Sequence, residues 1–157
     1  MKKNVVEYEG MTFAESISSE EIQQHVRRIA AAINADYAGT EPLFICVLNG
    51  AFMYAADLMK YITLPSEITF VRLKSYEGTE TTGKVNMLIP LQVDVKGRDV
   101  IVVEDIVDTG ITMRAFMNDL RAIGAKSVAL TSFLYKPDSL RYEEVTPKYY
   151  GLAIPPA

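Results

Sequence analysis

Two short apolar segments constrain the fold of this chain more than any other feature. "LFICVL" (43–48) is apolar throughout, and so is "VIVV" (100–103) within "DVIVVEDI" (99–106). A strand with one solvated face alternates apolar and polar residues, whereas an uninterrupted apolar strand is buried on both faces. Strands of this kind occur almost only in parallel sheets that helices cover on both sides. The two segments therefore predict an α/β fold.

The rest of the chain supplies the helices and strands that such a fold needs. Apolar residues at helical spacing predict helices over 20–35, 51–62 and 112–125. Ser19 is predicted as the N-cap of the first helix and Gly124 as the end of the last. Further strands are predicted at 67–75, 85–91 and 127–135. Because strands and helices alternate, we expect a parallel sheet with helices on both faces.

Composition limits the class of protein. The chain has 157 residues, 49% of them hydrophobic, and we expect one domain over 1–157 with a substantial core. A net charge of −4 gives no electrostatic basis for binding nucleic acid. The sequence has no apolar stretch of about 18 residues, the length that would predict a membrane span. The single cysteine, Cys46, rules out an internal disulfide, so a soluble cytoplasmic protein is expected.

Three carboxylates follow the second apolar segment, which is where an open α/β sheet binds its ligands. Glu104 and Asp105 are adjacent, so their side chains should point to opposite faces of the strand. Such a pair suits two neighbouring hydroxyls, or a hydroxyl and a hydrated cation. A solvated strand end with a salt bridge is the alternative, and Asp108, three residues further on, makes that alternative weaker. Mg²⁺ fits the setting, because it prefers oxygen ligands and often binds through substrate phosphates and water.

A helix start comes directly after Asp108. Thr109, Gly110, Ile111 and Thr112 combine a tight turn with two hydroxyls at the positive end of a helix dipole. This pattern predicts a phosphate site built mainly from backbone amides. It has neither the lysine of a P-loop nor the spacing of GxGxxG, and a simple capped helix start explains these four residues about as well.

The segment "VVEDIVDTGITM" (102–113) closely resembles the phosphoribosyl-diphosphate (PRPP) motif of the type I phosphoribosyltransferases. "FICVLNGAFMYAADLMKYI", "VRLKSYEGTETTGKV" and "SFLYKP" narrow the resemblance to the hypoxanthine (hypoxanthine-guanine) phosphoribosyltransferases. It covers roughly residues 40–156. It implies a Rossmann-like parallel-sheet core with flanking helices. It also implies a purine-salvage enzyme that moves the 5-phosphoribosyl group of PRPP to N9 of hypoxanthine, and also of guanine, giving IMP or GMP and pyrophosphate.

The resemblance also implies roles for individual residues. Glu104 and Asp105 would bind the ribose hydroxyls and, through PRPP or water, Mg²⁺. Asp108 would act as general acid/base beside purine N7. The 5′-phosphate would be bound by Asp108, Thr109, Gly110, Ile111 and Thr112.

Three further segments receive roles from the same resemblance. The turn Leu48, Asn49 and Gly50, which in the family often includes a cis peptide bond, would hold pyrophosphate with backbone amides. Lys136 would donate to the purine 6-oxo group. Ser75 and Tyr76 would belong to a mobile loop that closes over the reacting groups and excludes water.

The chain departs from the family in two places. Asn49 stands where many relatives have lysine, so a charged contact to pyrophosphate is lost. Relatives also continue beyond a segment like "GLAIPPA" with an aromatic residue that stacks on the purine. They then have an acidic residue near a second Mg²⁺. We therefore expect the C-terminal hood portion to be incomplete: either the sequence is truncated, which we favour, or the base site is completed by other residues. A homodimer or homotetramer is expected.

Two other classes of protein remain as alternatives. A response-regulator receiver places acidic residues and Mg²⁺ at strand ends, but its acidic pair comes early in the chain. A PRPP-sensing regulator of the same fold would keep 104–112 without a purine lysine or a lid. Lys136 and "KSYEGTETTG" favour the enzyme.

Overall fold

A computed structural model describes residues 5–14, 16–74 and 86–156. The elements alternate as the sequence predicts. In chain order they are β1 (Val5–Tyr8), β2 (Met11–Ala14), α1 (Ser19–Asp36), β3 (Leu43–Leu48), α2 (Phe52–Met59), β4 (Glu67–Leu73), β5 (Met87–Ile89), β6 (Asp99–Val107), α3 (Ile111–Ala122), β7 (Ser127–Tyr135), a 3-10 turn (Glu143–Val145) and β8 (Tyr149–Ala153).

The central sheet has the strand order β5-β4-β3-β6-β7-β8. Strands β4, β3, β6, β7 and β8 run parallel to their neighbours, which confirms the predicted parallel α/β core. Strand β5 pairs antiparallel with β4 at the sheet edge, so the short strand predicted from "VNMLIPL" forms but does not join the parallel set. The hairpin β1–β2 and strand β8, for which the patterns above give no prediction, are further elements of the fold.

Helix α1 begins one residue earlier than predicted. Ser18, not Ser19, is the N-cap: its backbone is extended, and its side chain accepts a hydrogen bond from the Glu21 amide. The prediction of Ser19 was therefore wrong by one residue: the neighbouring Ser18 has the extended backbone that an N-cap requires, whereas Ser19 is helical. Helix α2 is shorter than the predicted 51–62. Helix α3 begins at Ile111, one residue before the predicted start, and ends at Ala122, three residues before the predicted end.

The sheet buries both faces, as its uninterrupted apolar strands predict. In β6, Val100 and Val102 pack with Phe116 of α3, whereas Ile101 and Val103 pack with residues of α1 and α2. Among the described residues, no helix combines the length and apolar character needed to cross a membrane.

Candidate active site

The turns that follow β3 and β6 meet at one edge of the sheet. The two strands are parallel neighbours, with Cys46 paired to Val103, so residues 48–50 lie beside Asp105. A Cβ atom on Gly50 would lie 2.8 Å from Cγ of Asp105, and only glycine permits so close an approach. The Leu48–Asn49 peptide bond is cis, which confirms what the family resemblance implies for this turn.

Glu104 and Asp105 lie inside β6, which continues to Val107. Because side chains alternate along a strand, the Cα–Cβ bonds of these two residues point to opposite faces of the sheet. Oε1 of Glu104 accepts a hydrogen bond from the Asp105 amide at 3.1 Å, and Oδ1 of Asp105 accepts one from the Ile106 amide at 2.8 Å. Each carboxyl group is therefore fixed by the backbone of its own strand.

The environment of Glu104 disfavours its charged form. Burial, followed by the hydrogen bond to the Asp105 side chain, raises the pKa of Glu104 from 4.5 to about 8. None of the ion pairs found among the described residues includes Glu104, Asp105 or Asp108. The salt-bridged strand end, the alternative considered for the pair, therefore has no support in the described part of the chain.

The turn between β6 and α3 places Asp108 at the surface and Gly110 in the interior. Gly110 has φ 83°, the left-handed region, and is the residue that precedes the helix. Oγ1 of Thr109 accepts a long hydrogen bond, 3.4 Å, from the Ile111 amide. The N-terminal end of α3, with its positive dipole end, thus lies at the same sheet edge as Glu104 and Asp105.

Lys136 lies next to this turn, immediately after β7. Its amide donates to the carbonyl oxygen of Val107 at 2.9 Å, and its Nζ donates to the carbonyl oxygen of Pro156 at 3.3 Å. The structure thus brings the 48–50 turn, the acidic pair, the 108–112 turn and Lys136 to one edge of the sheet. Ser75 and Tyr76, predicted for the lid, lie outside the described residues.

The segment 136–147 leads from the end of β7 towards β8, and only its first residue, Lys136, received a role from the sequence. The Arg141 amide in this segment donates to the carbonyl oxygen of Thr109 at 3.0 Å. Beneath the segment lies an open cavity of about 550 Å³, lined by Tyr135, Pro137, Leu140, Arg141, Glu143 and Thr146. The length of the segment 136–147 could have indicated a functional role, because long connections in compact domains are often functional.

The chain is similar in sequence to known phosphoribosyltransferases. The sequence model of the phosphoribosyl transferase domain matches residues 14–150. The hypoxanthine-guanine phosphoribosyltransferase of Bacillus subtilis is 36% identical over 142 residues, covering 90% of this chain and 78% of its own length. The hypoxanthine-guanine-xanthine phosphoribosyltransferase of Tritrichomonas foetus is 32% identical, with 87% and 75% covered.

Solved structures agree with the sequence comparisons. A crystal structure of a hypoxanthine-guanine phosphoribosyltransferase from Bacillus anthracis, with HEPES in its active site, superposes with a TM-score of 0.81 at 37% identity. The match covers 88% of this chain and 80% of that one. A hypoxanthine phosphoribosyltransferase from Staphylococcus aureus gives a TM-score of 0.82 at 30% identity, covering 89% and 76%. With the domain match, the relatives and the shared fold in agreement, a response-regulator receiver is excluded, and the chain belongs to the hypoxanthine-guanine phosphoribosyltransferases of the phosphoribosyl transferase domain family.

Proposed function

We propose that this chain transfers the 5-phosphoribosyl group of PRPP to N9 of hypoxanthine, and of guanine, giving IMP or GMP and pyrophosphate. The observation that carries the proposal is the close approach of the Gly50 backbone to the Asp105 carboxyl group. It joins a turn suited to a diphosphate to a carboxylate suited to a sugar, and the bond that breaks in PRPP lies between those two parts of the substrate.

The acidic pair is assigned to the ribose. Loss of pyrophosphate gives the anomeric carbon the character of an oxocarbenium ion, and fixed negative charge nearby stabilises that developing cation. Asp105 is held by the Ile106 amide and needs no reorganisation to act in this way. Glu104 hydrogen-bonds a ribose hydroxyl in either protonation state, because a protonated carboxyl group still donates and accepts.

The same pair is assigned to Mg²⁺, through PRPP or water. Carboxylate oxygens are suitable donors for this ion. The described residues contain no group of three His, Cys, Asp or Glu side chains arranged for a metal, so PRPP and water would supply the other ligands. When bound, Mg²⁺ neutralises charge on the diphosphate leaving group. This neutralisation matters more in this chain than in relatives with lysine at the same position, because Asn49 brings no positive charge to the pyrophosphate turn.

The two ends of the nucleotide product are assigned to neighbouring segments. The turn 108–112 binds the 5′-phosphate at the N-terminal end of α3, where anions are stabilised. Asp108, exposed beside it, exchanges the proton at purine N7. Lys136 donates to the 6-oxo group; its Nζ has three hydrogens, and the Pro156 carbonyl takes one. Ser75 and Tyr76 are proposed for the lid.

Loss of the Lys136 side chain should separate the two substrates. In Lys136→Ala the purine 6-oxo acceptor is left without its donor, which costs about 1–3 kcal/mol in a dry site. We expect a larger rise in KM for hypoxanthine than for PRPP in steady-state kinetics. An equal rise for both substrates would assign Lys136 to structure instead.

The deciding experiment for the proposed function is a direct assay of IMP formation from hypoxanthine and PRPP, with and without Mg²⁺. We expect turnover that requires Mg²⁺, with adenine a poor substrate because its 6-amino group meets the Lys136 donor. Binding of PRPP without formation of IMP or GMP would support a PRPP-sensing regulator of the same fold instead.

The wider organisation follows from the same proposal. We propose one phosphoribosyltransferase domain over 1–157, cytoplasmic and assembled as a homodimer or homotetramer. In support of self-association, Phe52 and Met53 at the start of α2 are 57% and 66% exposed, directly after the pyrophosphate turn. Light scattering at several protein concentrations tests the assembly, and a monomer throughout would contradict it.

A further inference from the structure

Arg114 joins the first part of α3 to the segment 136–147 through two different contacts. Its Nε donates to Oε1 of Glu144 at 2.7 Å. Its guanidinium carbon lies 4.3 Å from the centroid of the Tyr142 ring, a distance at which the cation is attracted to the ring face. Its own amide donates to the carbonyl oxygen of Gly110 at 2.8 Å. One residue therefore contacts both the phosphate turn and the segment that follows β7.

The same two segments are packed together around Gly110. A Cβ atom at this position would collide with Cγ2 of Val145, and Cδ1 of Leu140 would be 3.1 Å away. Val145 is completely buried. The Arg141 amide holds the carbonyl oxygen of Thr109 from the same side. These contacts to the 109–110 turn, from Val145, Leu140 and the Arg141 amide, come from residues 140–145.

Arg114 is not placed where helix energetics favour it. A cation in the first turn of a helix is opposed by the helix dipole, which favours acidic side chains there. Its ion pair is also about half exposed, and such pairs add little to global stability. Neither the helix dipole nor global stability explains why this arginine contacts both a carboxylate and an aromatic ring. A local role in shaping the adjacent turn does explain it.

We propose that Arg114, Tyr142 and Glu144 form a brace of positioning residues, which holds the 108–112 turn in its phosphate-binding conformation and so sets the affinity for PRPP. The brace acts through the turn rather than on the reacting atoms. Because Lys136 begins the same segment, the brace also fixes the distance between the purine site and the phosphate site. This inference rests on the proposed function, since it assigns the 5′-phosphate to the 108–112 turn.

The test is the affinity of the purified full chain for PRPP with Mg²⁺, measured by calorimetry. In Arg114→Met both contacts are lost, and we expect binding roughly three- to tenfold weaker than in the wild type. Arg121→Met is the matched control: Arg121 is an exposed arginine of the same helix that bonds Asn118, within α3 itself. It should leave PRPP affinity unchanged, with a similar melting temperature in both variants.

The direction in which Glu144→Gln changes PRPP affinity distinguishes the brace from a simple effect of charge. If Arg114 and Glu144 influenced PRPP only through their charges, removing a negative charge would strengthen binding of this anion. The brace predicts weaker binding, because the amide holds the guanidinium less well than the carboxylate does. Tyr142→Leu should also weaken binding, and Tyr142→Phe, which keeps the ring face, should recover most of that loss.

Four results would overturn the inference. Unchanged PRPP affinity in Arg114→Met, or tighter binding in Glu144→Gln, overturns the brace while the proposed function stands. A lower kcat with unchanged PRPP affinity would place these residues in the chemical step, not in positioning. A wild-type chain that does not bind PRPP with Mg²⁺ overturns the proposed function and the brace together.

Discussion

The acidic residues of the site lie within a few positions of one another but in different surroundings. Asp108 is exposed beyond the end of β6, whereas Glu104 is half-buried and has a raised pKa. Environment, not residue type, therefore distinguishes the proposed roles: a solvent-accessible carboxylate is suited to proton exchange, and a half-buried one is suited to binding a hydroxyl.

Substitution of Asp108 by asparagine should affect turnover and leave binding intact. Asparagine keeps the size and hydrogen-bonding capacity of the side chain but cannot exchange a proton. A positioned acid/base group contributes typically about 10²–10⁴-fold, and we expect a fall in kcat of that order with little change in the dissociation constant of PRPP. Unchanged kcat would remove Asp108 from the mechanism.

The raised pKa of Glu104 predicts how stability depends on pH. Between about pH 4.5 and about pH 8 the folded chain keeps a proton that the unfolded chain has released. The free energy of unfolding contributed by this group therefore falls as pH rises through that interval and is level above it. Glu104→Gln removes the contribution, and we expect the variant to be more stable than the wild type at pH 8, by about 1–3 kcal/mol after allowance for solvent screening.

Urea unfolding of both proteins without Mg²⁺, from pH 5 to pH 9, measures this effect. The other titrating groups are common to the two chains, so the difference between the curves isolates Glu104. The difference should grow with pH and then become constant. Parallel curves over the whole range would show that Glu104 titrates normally in the folded chain.

At the scale of elements, the start of α1 shows how a backbone conformation selects between equivalent side chains. Ser18 Oγ accepts the Glu21 amide at 3.1 Å, whereas Ser19 is already helical. Ser18→Ala should therefore lower the free energy of unfolding by about 0.5–2 kcal/mol, the range measured for lost N-caps. Ser19→Ala is the control and should have almost no effect. Equal effects of the two substitutions in thermal melts would contradict the assignment of the cap.

The N-terminal end of helix α3 depends on contacts from outside the helix. Gly110, which precedes the helix, has no side chain to cap it, and the contacts that hold this turn include those from a segment distant in sequence, 140–145. The segment proposed to bind the phosphate is thus local in sequence, but tertiary packing helps to maintain its conformation.

At the scale of the whole molecule, the two core layers hold the turns after β3 and β6 in fixed relation. The layer that includes Phe116 supports α3, and the layer on the other face supports α1 and α2. Tyr54 of α2 also hydrogen-bonds Thr131 of β7, at 2.6 Å in the buried interior. A ligand that contacts both turns should therefore stabilise the whole fold and not one element.

Binding of PRPP with Mg²⁺ should raise the melting temperature. At a ligand concentration one hundred times the dissociation constant the gain is about 2.7 kcal/mol, or roughly 5–10 °C for a chain of this size. Mg²⁺ alone should give a much smaller shift, because the protein supplies few of its ligands. Glu104→Gln combined with Asp105→Asn should reduce the shift produced by PRPP with Mg²⁺. A full shift in that double variant would show that the pair does not bind the ribose.

Local patterns in the sequence predict the parallel sheet and the family. The uninterrupted apolar runs of β3 and β6 predict a sheet buried on both faces, because an exposed face would require polar residues. The motif "VVEDIVDTGITM" identifies the family because its strand, acidic pair and helix start are contiguous. The cis bond after Leu48 follows from the same resemblance.

Features that depend on contacts between residues distant in sequence become visible only in the folded chain. The raised pKa of Glu104 comes from burial and from the Asp105 carboxyl group, and burial cannot be read from residue type. The antiparallel pairing of β5 depends on which sheet edge is open. The brace of Arg114, Tyr142 and Glu144 joins residues about thirty positions apart, and no periodicity or motif marks such a pair before the chain is folded.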